Sequence, residues 1–116
     1  MKIVSISEDL NLEKRISLTP ELSKKYLDLG VDIFINKNYG IHLGFHDTDY
    51  KKKGVQILNN IDEVIGNCNS LLQVNLPGIN YIEKVKENTS LIGIFNPYGN
   101  KEKINLLLKK KLIFFL

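Results

Sequence analysis

Three side chains stand where ligand chemistry could be done: Arg15, Asn75 and Asn96. Arg15 lies in Glu13-Lys14-Arg15-Ile16-Ser17-Leu18-Thr19-Pro20, shortly after the apolar run Ile3-Val4-Ser5-Ile6. Asn75 opens Asn75-Leu76-Pro77-Gly78 and Asn96 opens Asn96-Pro97-Tyr98-Gly99, each directly after another apolar run. A guanidinium pairs with carboxylates through its planar fork. One cation with two amides could therefore hold a carboxylate or an amide-bearing ligand. The plainer account makes Arg15 a solvated loop charge and each asparagine a turn residue that satisfies backbone groups. On residue physics alone the plainer account is favoured for each residue taken singly. The recurrence of Asn at two strand ends adds weight to the ligand account.

Other chemistries find no support, and no catalytic residue is assigned. His42 and His46 share one glycine-bearing loop, where a spacing of four does not put two imidazoles on one face as it would on a helix. No Cys/His/carboxylate cluster has metal-ligand spacing. No Gly-x-Gly-x-x-Gly follows a strand, no Walker-type loop occurs, and there is no Gly-x-Ser-x-Gly. The single cysteine, Cys68, cannot form an internal disulfide, which suits a reducing compartment; it is read as packing on an apolar helix face.

The net charge of +3 is spread out. The densest basic runs, Lys51-Lys52-Lys53 and Lys109-Lys110-Lys111, fall at expected helix C-termini, where they favour the dipole. Few aromatics lie beside them, so nucleic acid is not an expected partner. No apolar run approaches the roughly 18 residues that span a bilayer, and Met1-Lys2 leads straight into a strand with no signal peptide visible. Asn88-Thr89-Ser90 matches a glycosylation acceptor pattern and is read as chance.

The elements that must position these residues alternate. Lys2 to Ser7 reads as a buried strand. Thr19 followed by Pro20 starts a helix to Leu29, with Leu22, Tyr26 and Leu29 as its inward face and Gly30 as its stop. Strands are expected at Val31–Ile35, Val55–Leu58, Ser70–Val74, Ser90–Phe95 and Leu112–Leu116. Helices are expected from Thr48 to Lys53 behind an Asp47 cap, from Asn60 or Asp62 through Cys68, and from Ile79 to Lys86. A last helix after Asn100 turns Ile104, Leu107 and Leu108 inward. The 116 residues make one domain, residues 1–116, that buries a reasonable core. Alternating strands and helices imply a doubly wound α/β fold with a mostly parallel sheet, of flavodoxin-like strand order. It is Rossmann-like without a glycine-rich loop. Loops at the carboxyl ends of such strands form the ligand crevice, and all three candidate residues belong to them. The apolar final run, Leu-Ile-Phe-Phe-Leu, wants cover on both faces, so the domain is expected to be incomplete at its C-terminus.

The motifs also carry a resemblance. The chain resembles the N-terminal domain shared by alanine dehydrogenase and the alpha subunit of the proton-translocating NAD(P) transhydrogenase. Glu13 to Pro20 is similar to that family's E-x-R-V-[AS]-[LIV]-T-P motif. Leu29-Gly30 and Tyr39-Gly40 correspond to its L-G and G-A-G segments. Phe45, Asp47, Tyr50 and Gly54 match F-x-D-x-x-[FY]-x-x-x-G, and Leu72 to Pro77 resembles L-K-V-N-x-P. Alanine dehydrogenases carry a substrate-binding lysine where this chain has Asn75 and a catalytic histidine where it has Asn96. Gln73 stands in place of the usual lysine, and Asn96 to Gly99 departs from the common form.

The resemblance implies hydride transfer between NADH and NADP⁺, with this segment as one wall of the NAD(H) cleft. It implies NADP(H) on a partner subunit and a main NAD-binding domain outside this chain, which alone is expected to be inactive and to bind no NADH at micromolar concentration. The implied partners are the rest of the alpha subunit, a beta subunit and a second copy of the full-length domain. The implied location is cytoplasmic, at the inner membrane through the complex. Two alternatives stay open: an amino-acid dehydrogenase relative of alanine or saccharopine dehydrogenase type, with Arg15 gripping a carboxylate, and a non-catalytic α/β module that binds a partner through its last strand.

Overall fold

In the computed structural model, residues 1–93 and 101–109 and the strand 113–115 are described. Six strands make one all-parallel sheet: β1 (Lys2–Ser5), β2 (Asp32–Asn36), β3 (Gln56–Leu58), β4 (Ser70–Leu72), β5 (Ser90–Ile92) and β6 (Ile113–Phe115). Their order is β3-β2-β1-β4-β5-β6. Five helices connect them: α1 (Pro20–Asp28), α2 (Asp47–Lys53), α3 (Asp62–Ile65), α4 (Ile79–Lys84) and α5 (Lys101–Lys109). Without β3 the order is that of the flavodoxin-like expectation. β3 pairs outside β2 and extends the sheet to the order of dinucleotide-binding folds.

The period of two along each strand divides the core between two faces. Ile3, Ile33 and Ile35 point to one side, where Tyr26 and Leu27 of α1 and Tyr50 of α2 cover them. Val4, Phe34 and Leu71 point to the other, against Ile65 of α3, Ile82 of α4 and Leu107 of α5. Each fully buried aliphatic side chain contributes roughly 1.5–3 kcal/mol relative to exposure. Both faces are needed, because parallel strands so rich in Ile, Val and Leu leave neither side fit for water.

Local chemistry sets the helix ends. Thr19 is extended, its Oγ1 accepts the Leu22 N–H at 3.1 Å, and Pro20 follows as the first helical residue. Gly30 (φ 87°) and Gly54 (φ 103°) take the left-handed conformation beyond α1 and α2. The three lysines of α2 occupy its last turn. Asn60 Oδ1 accepts the Asp62 N–H at 3.0 Å where α3 begins.

Four local expectations are corrected. The inward face of α1 is not Leu22, Tyr26 and Leu29: Pro20 and Ser23 are buried and Tyr26 and Leu27 pack on the sheet, while Leu29 is 79% exposed. Leu29 is the residue that caps the helix, outside its periodicity. Cys68 is buried but lies after α3, which ends at Ile65, so it packs from the connection to β4. Leu108 is 61% exposed, because Leu107 fills the core position and its neighbour is rotated away. α2 starts at Asp47 with His46 before it, and the Asp49 carboxylate accepts the His46 N–H at 2.8 Å. The expected strand beyond Ile92, the Asn100 cap and the ends of the last strand lie outside the described residues.

Candidate functional site

The sheet reverses direction of growth between β1 and β4, so the loops leaving those two strands flank the crevice. Gln73 stitches the loops together. Its side chain is 3% exposed. Its Oε1 accepts the Ile6 N–H at 2.6 Å and its Nε2 donates to the Ile6 carbonyl at 3.0 Å, so one amide faces another in full pairing. Its backbone N–H reaches the Ile92 carbonyl at 2.9 Å. One residue thus holds the ends of β1, β4 and β5.

Glu8 completes this junction. Its Oε2 accepts Gln73 Nε2 and the Val74 N–H, both at 3.0 Å, and its Oε1 accepts the Asn75 N–H at 3.1 Å. Burial pushes the Glu8 carboxyl pKa up, while the Val74 and Asn75 N–H groups pull it back. Repulsion from Glu13 adds to the rise and Arg15 opposes it.

The Arg15 side chain is 65% exposed and closes on Glu13: Nε lies 2.9 Å and Nη2 2.8 Å from its two oxygens. The Arg15 backbone N–H reaches the same carboxylate at 2.9 Å. The guanidinium holds the Glu13 carboxyl at about 2, well below the usual range. The backbone that carries this pair is fastened along its length. His42 Nε2 lies 2.7 Å from the Lys14 carbonyl, which can only accept, so this nitrogen carries the proton. His42 Nδ1 is enclosed with no hydrogen-bond partner among the described residues. Tyr50 Oη donates to the Leu18 carbonyl at 2.7 Å.

Between them runs a polar chain with one consistent direction. Ser5 Oγ donates to the Leu72 carbonyl. Tyr39 Oη, 2.7 Å from Ser5 Oγ, must therefore donate to it, and Tyr39 Oη accepts the Ser17 N–H at 3.1 Å. Such chains strengthen each member by polarisation. Burial raises the pKa of both phenols, so they remain neutral donors.

These contacts place the three sequence candidates. Arg15 borders a cleft of about 340 Å³ with Ser17, Tyr26, Gln73 and Ile92. Asn75 borders a second cavity of about 250 Å³ with Glu8, Asp9, Tyr81 and Lys103. Gln73 lines both. The two residues share one edge of the sheet but not one cavity, and Asn96 lies outside the described residues. A larger cavity of about 460 Å³ sits between the start of α1 and α2 and touches none of them. Glu8 and Gln73 were missed as site residues. Glu8 had one usable signal, a carboxylate placed just after β1 on the way into the crevice. The double pairing of Gln73 depends on long-range register and had none. Among the described residues no group of His, Cys, Asp and Glu could hold a metal ion, and no helix is long and apolar enough to cross a membrane.

Residues 5–115 match the family model for the alanine dehydrogenase/PNT N-terminal domain. The chain is 29% identical to the first of the separately encoded pieces of the NAD(P) transhydrogenase alpha subunit of Rickettsia prowazekii, over 99% of its own length and 31% of that protein. It is 28% identical to alanine dehydrogenase 1 of Staphylococcus aureus, over 88% of its length and 27% of that protein. The crystal structure of transhydrogenase from Sinorhizobium meliloti superimposes with a TM-score of 0.85 at 27% identity, covering 97% of this chain and 34% of that one. The chain thus spans about a third or less of the length of these relatives.

Proposed function

The chain belongs to the alanine dehydrogenase/PNT N-terminal domain family, and from that membership we propose that it works as part of an NAD(P) transhydrogenase alpha subunit. The observation that carries this reading is the likeness to a transhydrogenase alpha-subunit piece along 99% of the chain. The crevice chemistry agrees with it. Asn75 stands at the rim where the alanine dehydrogenase pattern wants a lysine, so the rim offers an amide in place of a cation.

In this role the segment forms one wall of the NAD(H) cleft, with Arg15 as the exposed cation on that wall. It does not seat the dinucleotide's phosphates: no glycine-rich turn follows β1, and the Glu8 carboxylate lies against the N–H groups at the end of β4. NAD(H) is bound chiefly by the rest of the alpha subunit. NADP(H) sits on a beta subunit, the full-length domain pairs with a second copy, and the assembly works at the cytoplasmic side of the inner membrane.

A second reading is an amino-acid dehydrogenase relative, favoured by the exposed Arg15 fork beside its cleft and by the similarity to alanine dehydrogenase 1. Hydride transfer from NADH separates the two when assayed with the chain in its native assembly. Reduction of an NADP⁺ analogue, without NADH oxidation by pyruvate plus ammonium, supports the transhydrogenase. The reverse pattern refutes it.

A further inference from the structure

The end of β4 presents two successive backbone N–H groups, those of Val74 and Asn75, to one point at the crevice between β1 and β4. Consecutive amides turned the same way form a concavity that takes an anion. The Gln73 Nε2 adds a third donor, and its own orientation is fixed by its pairing with Ile6. In open α/β sheets this crevice is the position for a ligand's charged group. Here all three donors go to the carboxyl group of Glu8, which arrives on the loop leaving β1.

We propose that this notch is a small-anion site whose resident occupant is the chain's own Glu8 carboxylate, and that Glu8 in place closes the crevice to a phosphate group. The two oxygens of Glu8 lie where two oxygens of a phosphate would have to lie. A second anion would find both amides taken and a like charge facing it. The remaining charges do not reverse this: Asp9 and Lys103 line the same cavity with opposite signs, and the nearby Arg15 is already paired to Glu13. The other half of a phosphate seat is closed as well. Thr19 Oγ1 takes the Leu22 N–H at the start of α1, and Pro20 there has none to offer. All of these hydrogen bonds lie within the chain, so the notch keeps its occupant whether or not the transhydrogenase reading holds.

Glu8→Ala removes the CH₂–COO⁻ fragment, for which acetate is the free equivalent. The variant is expected to lose about 5–10 °C in Tm, because buried N–H groups lose their acceptor. Acetate or inorganic phosphate, titrated at constant ionic strength with chloride as counterpart, should move the Val74 and Asn75 amide resonances of Glu8→Ala in a saturable way. The same additions should leave those resonances of the unaltered chain in place. Equal movement in both proteins, or none in the variant, would overturn the proposal. Movement with acetate alone would restrict the notch to carboxylates and overturn the phosphate half. A second measurement needs only the unaltered chain, should the variant not fold. The Val74 and Asn75 amide proton shifts must follow the titration of the Glu8 carboxyl carbon with one midpoint, and independence of the two would refute the assignment.

Discussion

Glu13 receives three N–H groups of Arg15, from the backbone, Nε and Nη2, all within 2.9 Å. The cation at the cleft is therefore already paired within a span of three residues, and a ligand's carboxylate would have to share or displace that partner. The pairing also has a measurable acid signature. Arg15 lowers the Glu13 pKa to about 2 from an ordinary value of 4.5. A carboxyl with a depressed folded pKa stabilises the fold above its unfolded value and loses that contribution as pH falls through the folded one. The stability difference between the unaltered chain and Glu13→Gln should thus be full above about pH 5 and shrink toward pH 2. Carbon-detected titration should put the Glu13 midpoint near 2, and Arg15→Gln should return it toward 4.5. A midpoint unmoved by Arg15→Gln would show that the fork does not form in solution. The site is exposed, so salt should weaken the effect.

Gln73 offers a second test, this time of the junction. Gln73→Leu keeps the bulk but orphans the Ile6 N–H and carbonyl and takes one donor from Glu8. Buried polar groups left without partners cost about 1–3 kcal/mol each. A loss of about 3 kcal/mol in urea unfolding is expected, with some compensation from water. Gln73→Glu keeps the shape yet sets a second carboxylate against Glu8. Its deficit should be larger at neutral pH and shrink on acidification, as one carboxyl takes a proton and again donates. A pH-independent deficit for Gln73→Glu would count against direct contact with Glu8.

The sheet and its helices were legible because parallel strands announce themselves as short apolar runs and helix ends as chemistry. Thr19-Pro20, Gly30 and Gly54 mark their boundaries where the structure has them. The faces of short helices were less legible. In α1 the sheet is met by Ser23, a small polar residue whose hydroxyl donates to the Thr19 carbonyl at 2.8 Å, so apolar character pointed to the wrong side. The candidate site was legible as a place, since the loops at strand ends could be named in advance. Its wiring was not. Gln73 and Ile6 are 67 positions apart, and only the parallel register of β1 with β4 brings them together.

Cys68 gives a simpler check of the core. Its thiol is buried, and burial raises its pKa to about 11. The thiolate is the reactive form, so a thiol reagent at pH 8 meets both low access and low ionisation. Labelling of the folded chain should be slow and limited by opening of the structure, and it should be complete in denaturant. Fast labelling of the native chain would place Cys68 at the surface, against its position in the connection between α3 and β4.

Gly40 tests the fastening of the loop that carries Arg15. Its backbone has no positive φ, so space and not conformation excludes a side chain. A Cβ there would stand 2.7 Å from Tyr50 Oη and 3.1 Å from Phe45 Cβ. Tyr50 cannot swing aside freely: it is fully buried, its hydroxyl is bound to the Leu18 carbonyl, and its ring meets Tyr39 edge-on at 5.9 Å. Overpacking of this kind costs about 1–3 kcal/mol. Tyr50→Phe alone removes the donor to Leu18 and should cost about 1 kcal/mol. In the double variant the 2.7 Å contact no longer exists, so Gly40→Ala should cost less on the Tyr50→Phe background than on the native one. Chemical denaturation of the four proteins gives the coupling. Strictly additive losses would mean that the Tyr50 hydroxyl does not stand over Gly40, and with it would go the hydrogen bond that anchors Leu18 behind Arg15.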